Sequence, residues 1–232
     1  MIYIIGKEHP GAVLRLFRGV SFKQGAMNQF LNREDAAEKL LGLLQSYQSQ
    51  KDGLVLALPR GGVPLGRYIA DYLHWPLDIV IAKKIGHPLN PEYAVGSVSA
   101  SGYVVNKHEL IPENYVATEV ARLQREIRQK YQMYQSGRKP IDPKQKTALL
   151  VDDGMATGST MLGAIDLVRG QGAKQIIVAV PVASEEAYRK TARKADQTFC
   201  LATPKPFGAV GEFYQDFRPV SDQEVIELLR SD

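Results

Sequence analysis

Residues 147–163 read TALLVDDGMATGSTMLG. The apolar run from Ala148 to Val151 has the continuity of a strand buried on both faces, as in a parallel sheet. It ends at two adjacent carboxylates, Asp152 and Asp153, passes through a glycine-containing loop, and opens a helix with Thr157, Gly158, Ser159 and Thr160. Ligands of open parallel sheets bind at the carboxyl ends of the strands, and a helix N-terminus with free amides and short hydroxyls suits phosphate. Glycine lets the backbone approach such an anion closely. Asp152 and Asp153 would repel phosphate and call for another partner, either vicinal sugar hydroxyls or a cation. Together these features describe a site for a ribose phosphate, with hydroxyls at one end and the 5′-phosphate at the other. The simpler alternative is that one carboxylate only caps the helix.

Outward from this stretch, short β-branched runs alternate with helix-length segments, the pattern of a parallel sheet covered by helices. Strands are expected near 54–58, 78–82, 103–105, 147–151, 175–181 and 198–201. Helices are expected near 33–47, 62–74, 112–135, 159–171, 184–194 and 221–230. The first helix is marked by Asn32 as cap, Glu34 and Asp35 in its first turn, and an apolar face of Ala36, Ala37, Leu40, Leu41 and Leu44. The fold class is therefore α/β, a parallel sheet flanked by helices, in one domain over 1–232 with its core at about 30–201. Two stretches break the alternation. Residues 83–102 are dominated by Gly, Pro, Asn and Ser and read as a long loop able to move over a ligand. Residues 203–219 set Phe207, Phe213, Tyr214 and Phe217 among prolines and glycines, which suggests an aromatic-lined cap. Residues 1–29 form an extension with weak signals, a short strand or hairpin.

Hydrophobic residues make up 44% of the chain and charged residues 23%, ordinary globular usage that excludes a disordered, collagen-like or coiled-coil protein. The longest apolar stretch, 176–183, falls far short of the roughly 18 residues that cross a bilayer, and Pro181 interrupts it. Residues 1–5 are too short for a signal-peptide core, so a cytoplasmic location is expected. The single cysteine, Cys200, cannot form an internal disulfide, which agrees with a reducing compartment, and its apolar neighbours read as a core strand. The net charge of +4 is local: residues 115–146 hold eight basic and three acidic side chains, leaving −1 for the rest. Val116, Val120, Leu123, Ile127, Tyr131 and Tyr134 recur there at steps of four and three, marking an amphipathic helix with its charges toward solvent. Arg122 with Glu126, and Glu126 with Lys130, stand at helical i,i+4 spacing. A solvated face is favoured over a nucleic-acid surface, and the chain shows no helix-turn-helix pattern.

Competing motifs fail. No lysine follows Gly158 as a Walker phosphate loop requires, and G-x-G-x-x-G after a strand, G-x-S-x-G and zinc-spaced histidine pairs are absent from the sequence. His9, His74, His87 and His108 are scattered and read as surface or structural residues, with His87 set apart by its place in the long loop.

VDDGMATGST resembles the phosphoribosyl pyrophosphate (PRPP) signature of the type I phosphoribosyltransferases. LALPRGGVPLG at 56–66 is similar to that family's pyrophosphate loop, 83–102 to its flexible loop, and FGAVGEFYQDF at 207–217 to the base-binding hood of its purine-type members. The hood would then span about 203–232 together with 1–29. The resemblance implies that Asp152 and Asp153 hold the ribose 2′- and 3′-hydroxyls while Ala156, Thr157, Gly158, Ser159 and Thr160 cradle the 5′-phosphate. It implies that Arg60 and Gly61 meet pyrophosphate, across a cis bond between Pro59 and Arg60, and that Lys83 and Lys84 neutralise it. Asp152, Asp153, Arg60 and Lys83 are thereby the expected catalytic set. Mg²⁺ is the implied cofactor, held mostly through PRPP with Asp152 and Asp153 contributing indirectly, and the implied assembly is a homodimer. The implied reaction transfers ribose 5-phosphate to a nitrogenous base, purine-like favoured, with Phe207, Phe213 and Tyr214 as base-stacking or cap-packing residues. Glu92 and Asp216 are the candidates for a general acid or base. Hypoxanthine-guanine enzymes place a carboxylate where this chain has Ala156, which puts a 6-oxopurine substrate in doubt. Two alternatives use the same signature: a regulator that binds PRPP or a nucleotide without turnover, and a hydrolase acting on a ribose phosphate.

Overall fold

The computed structural model describes residues 3–6, 30–99, 102–105, 111–135 and 137–230. In chain order the strands are β1 (Tyr3–Gly6), β2 (Gly53–Ala57), β3 (Leu77–Ile79), β4 (Lys83–His87), β5 (Asn90–Val98), β6 (Tyr103–Val105), β7 (Thr147–Val151), β8 (Gln175–Val182) and β9 (Gln197–Ala202). The helices are α1 (Arg33–Leu44), α2 (Gly62–Leu73), α3 (Glu113–Gln135), α4 (Ser159–Gly170), α5 (Glu185–Lys194) and α6 (Asp222–Arg230). The α/β class expected from the alternation is the one observed.

The main sheet runs in the order β1-β9-β8-β7-β2-β3. Its five central and edge strands from β9 to β3 are parallel, and β1 joins β9 antiparallel. Because both faces are covered, β2 and β7 are buried at every position, which explains their unbroken apolar runs. One core packs Val55, Ala57, Leu149 and Val151 against residues of α1, α2, α3 and α6. The opposite faces of the same strands, Leu54, Leu56, Ala148 and Leu150, pack against α4 and α5.

Helix starts follow from local chemistry. The Asn32 side chain accepts from the Asp35 amide at 2.9 Å to cap α1, which buries Ala36, Ala37, Leu40, Leu43 and Leu44. Ser184 caps α5 by accepting from the Ala187 amide at 3.0 Å. On α3 the ion pair of Arg122 with Glu126 forms as its spacing suggests, but Glu126 also takes Lys83 Nζ at 2.5 Å. Lys130 instead lies over the ring of Tyr134.

Residues 83–102 depart from the loop expected of them. β4 and β5 pair antiparallel with irregular register near Gly86, and β6 adds to β5, giving a separate three-stranded sheet. Ile85, Val95 and Val98 are buried, and that burial supplies the driving force that composition hid. Glycine is needed at two close approaches: a Cβ at Gly96 would lie 2.3 Å from the Val104 carbonyl oxygen, and one at Gly163 of α4 would lie 3.0 Å from the Ser97 Cβ. Of the expected extension, residues 3–6 form β1, while 7–29 lie outside the described residues.

Candidate functional site

Strand order sets the location. The chain moves from β2 outward to β3, then returns on the other side of β2 to lay down β7, so the connections leave β2 and β7 in opposite directions. Such a reversal opens a crevice at the carboxyl ends of the two strands, where α/β sheets bind ligands. β2 delivers Pro59, Arg60, Gly61 and Gly62 there, and β7 delivers Asp152 and Asp153. The two loops touch. Leu58 donates its amide to the Val151 carbonyl at 2.9 Å, and a Cβ at Gly61 would sit 1.9 Å from Asp153 Oδ2. A Cβ at Gly62 would lie 2.6 Å from the Val151 carbonyl oxygen, so the Gly-Gly pair is what lets the acidic loop close onto the arginine loop. The Pro59–Arg60 bond is cis, as the family resemblance implies.

The two carboxylates are held differently. Asp152 Oδ1 accepts the Asp153 amide at 2.9 Å. Asp153 Oδ2 accepts from Arg33 Nε at 3.0 Å and Nη2 at 2.8 Å, and the Asp153 carbonyl accepts from the Tyr214 hydroxyl at 2.6 Å. Burial and then the adjacent Asp153 charge push the Asp152 carboxyl well above the usual carboxylate range. Burial also raises Asp153, opposed chiefly by the Arg33 guanidinium. Two crowded carboxylates with one cation between them favour donors or further positive charge. That donor set, oxygen only and partly enclosed, fits a hard ion such as Mg²⁺ that keeps its own waters and shares substrate phosphates. Among the described residues no group of three or more acidic, histidine or cysteine side chains gathers as a protein-only metal cage.

The turn before α4 is fixed from outside. Met155 donates its amide to the Val182 carbonyl at 2.9 Å, and the Ser184 hydroxyl donates to the Ala156 carbonyl at 2.6 Å. Gly158 has φ +74°, a left-handed conformation that side chains disfavour, and its absent Cβ would approach Ala187 at 3.2 Å. Ala156, Thr157, Ser159 and Thr160 are exposed around this turn. Thr157 Oγ1 donates to Ser159 Oγ at 3.2 Å and accepts the Ser159 amide at 3.3 Å. The arrangement presents hydroxyls and helix-terminal amides to one small volume, which can bind a phosphate dianion.

Arg60 is exposed, with Nη1 3.7 Å from Asp222 Oδ1 at the start of α6, and Asp222 also accepts from the Tyr134 hydroxyl at 2.5 Å. Lys83 is tied to Glu126, and Lys84 is exposed beside it on β4. Of the aromatic residues, Phe213 and Tyr214 are buried. Tyr214 packs between Phe30 and Phe217, and Phe213 against the half-buried Phe207, so Phe207, Phe213 and Tyr214 all take part in cap packing. Asp216 is bound by Arg218. Glu92 has its side chain outside the described residues, as do His9 and His108 entirely. His74 closes α2 in the left-handed conformation, and His87 Nδ1 accepts the Leu89 amide at 3.1 Å, so both serve turns. Cys200 is buried in β9, and burial pushes its thiol up to about 12, which removes it as a nucleophile at neutral pH. Arg33 carries no motif in the sequence and lies 120 positions from its partner. Its only local sign is a positive charge at the first position of a helix whose next two residues are acidic.

The chain belongs to the phosphoribosyl transferase domain family, whose pattern matches residues 24–217. It is 35% identical over 208 residues to two Mycobacterium tuberculosis proteins, one from each of two strains, whose names give phosphoribosyl transferase as a provisional activity. The alignment takes in 88% of this chain and 47% of theirs, so the chain spans about half the length of the curated relatives it matches. The crystal structure of TT1426 from Thermus thermophilus is similar with a TM-score of 0.81 at 35% identity, over 87% of this chain and 97% of that one. No helix among the described residues is long and apolar enough to cross a membrane.

Proposed function

We propose that the protein is a Mg²⁺-dependent phosphoribosyltransferase that moves ribose 5-phosphate from PRPP to a nitrogenous base, purine-like in shape, and releases pyrophosphate. The observation that carries this reading is the meeting, at one sheet crevice, of the Asp152–Asp153 pair with the Thr157 to Thr160 turn and the Arg60–Gly61 loop. Asp152 and Asp153 accept from the 2′- and 3′-hydroxyls, and Ala156, Thr157, Gly158, Ser159 and Thr160 hold the 5′-phosphate. Arg60, Gly61, Lys83 and Lys84 receive pyrophosphate, Arg60 being released from Asp222 and Lys83 from Glu126 or shared with them. At C1′ the bond to the pyrophosphate oxygen breaks with its electron pair staying on pyrophosphate, the bond to the base nitrogen forms, and the nitrogen's proton passes to the released pyrophosphate or to water. Mg²⁺, when bound, neutralises the departing pyrophosphate. The chain's share is positioning and fixed electrostatics aimed at developing charge. A cytoplasmic homodimer is the setting proposed for this enzyme, by analogy with the family it resembles.

Calorimetric titration of PRPP with Mg²⁺ tests the site. Micromolar binding by the wild type and its loss in Asp152→Asn, Asp153→Asn is the expected result, followed by pyrophosphate release on adding purine bases. Binding without pyrophosphate release from any base would make the protein a PRPP-sensing regulator. Ribose 5-phosphate appearing without a base would make it a hydrolase. No binding to the folded wild type would overturn the proposal.

A further inference from the structure

The cap meets the acidic pair directly through the Tyr214 hydroxyl and indirectly through Arg33, whose side chain touches Asp153, Phe217 and Arg218. The Arg33 guanidinium is 12% exposed and Asp153 13%, so the pair sits largely out of water, where its bonds are strong and its geometry fixed. Nε and Nη2 are both spent on Asp153 Oδ2, while Nη1 donates to the Arg218 carbonyl at 2.8 Å. The guanidinium carbon lies 4.0 Å above the centre of the Phe217 ring. Arg33 is the first residue of α1, and the chain just before it is stitched to the same cap. Phe30 donates to the Phe213 carbonyl at 3.0 Å, Gln215 to the Phe30 carbonyl at 2.9 Å, and Asp216 to the Leu31 carbonyl at 2.9 Å. Each nitrogen of the guanidinium thereby makes a hydrogen bond, two to the carboxylate and one to the cap.

We infer that Arg33 is a positioning residue that joins the cap segment 213–218 to Asp153, fixing the carboxylate for the sugar hydroxyls and transmitting occupancy of the sugar end to the cap. This rests on the ribose-phosphate reading of the site. A cation on Oδ2 leaves Oδ1 as the acceptor for a sugar hydroxyl. The same guanidinium cannot shift without moving its Arg218 and Phe217 contacts. A sugar that draws Asp153 toward itself therefore draws on the cap, the part of the chain that closes over an acceptor in the proposed reaction.

The test uses ribose 5-phosphate and inorganic phosphate as metal-free probes, titrated into the wild type, Arg33→Met and Arg33→Lys, with hydrogen exchange followed on the peptide covering 210–218. Inorganic phosphate needs only the Thr157 to Thr160 turn, so its affinity stays within about twofold in all three. Ribose 5-phosphate weakens about tenfold or more in Arg33→Met, the loss expected for charge-assisted hydrogen bonds removed from a buried carboxylate. Arg33→Lys keeps a cation on Asp153 but lacks the third donor arm, so it retains affinity within about threefold while losing the ligand-induced protection of 210–218 that the wild type shows. Should Arg33→Met fail to fold, the lysine variant alone carries the comparison. Ribose 5-phosphate binding as tight or tighter in Arg33→Met, or cap protection unchanged in Arg33→Lys, would overturn the inference with the site reading intact. A folded wild type that ignores ribose 5-phosphate would instead remove the site reading beneath it.

Discussion

Asp152 sits where binding and stability oppose each other. Its native carboxyl is raised by burial and by Asp153, so the native state holds a proton at a pH where the unfolded chain, with an ordinary value of about 3.9, has released it. The stability from that proton is present in acid and is lost as pH rises through the native value. Asp152→Asn is therefore expected to raise the melting temperature at pH 7, by about 2–4 °C for each kcal/mol relieved in a chain of this size, with the gain vanishing below about pH 4. Calorimetric scans of both proteins across pH check the sign, and a lower melting temperature for the variant at pH 7 would refute it. Gly61 and Gly62 separate the same two properties. At Gly62 an added Cβ meets backbone, the Val151 carbonyl and Asp152 Cα, neither of which yields, so Gly62→Ala should destabilise by about 1–3 kcal/mol. At Gly61 it meets the Asp153 carboxylate, which can swing off Arg33, so Gly61→Ala should weaken ligand binding more than it lowers stability. Denaturant titration beside ligand titration distinguishes the two.

Among elements, the connection from β7 to α4 depends on its neighbours more than on itself. Ser184 caps α5 with one bond and holds the Ala156 carbonyl with another, so Ser184→Ala should cost about 1 kcal/mol as a lost cap and also loosen the phosphate turn. Phosphate affinity that falls along with the melting temperature supports this, and unchanged phosphate affinity would confine Ser184 to capping. Helix and strand positions were legible because period and capping are local: α1, α4 and β7 appear where Asn32, the Gly158–Ser159 junction and the run Thr147 to Val151 place them. The hairpin of β4 and β5 was not legible. Its glycines and prolines read as loop, and the burial of Ile85 and Val95 that stabilises it comes from the helices it packs on. The C-terminal end of α1 tightens into a 3₁₀ turn over Gln45–Tyr47 for the same reason, since Tyr47 is drawn into contact with Trp75 and Phe199.

For the whole molecule, the sheet order makes the proposed ligand site a product of the fold's topology, so occupancy should be felt in global stability. At a PRPP concentration about 100 times its dissociation constant, linkage adds about 2.7 kcal/mol, which should raise the melting temperature by about 5–10 °C with Mg²⁺ present. Differential scanning calorimetry against PRPP concentration checks it, and a flat response would place the binding energy elsewhere. The sequence by itself determined the α/β class, the positions of most elements and the succession of an acidic pair and a hydroxyl-bearing turn at the end of β7, because strand runs, caps and a contiguous motif are written in neighbouring residues. Only the tertiary structure decided that Phe213 and Tyr214 pack into the core, that Lys83 answers to Glu126, and that Arg33 reaches Asp153. Those pairings join residues tens to more than a hundred positions apart, and no local rule of period or propensity encodes a contact that exists only once the β2 and β7 ends, the first turn of α1 and the cap are brought to one edge of the sheet.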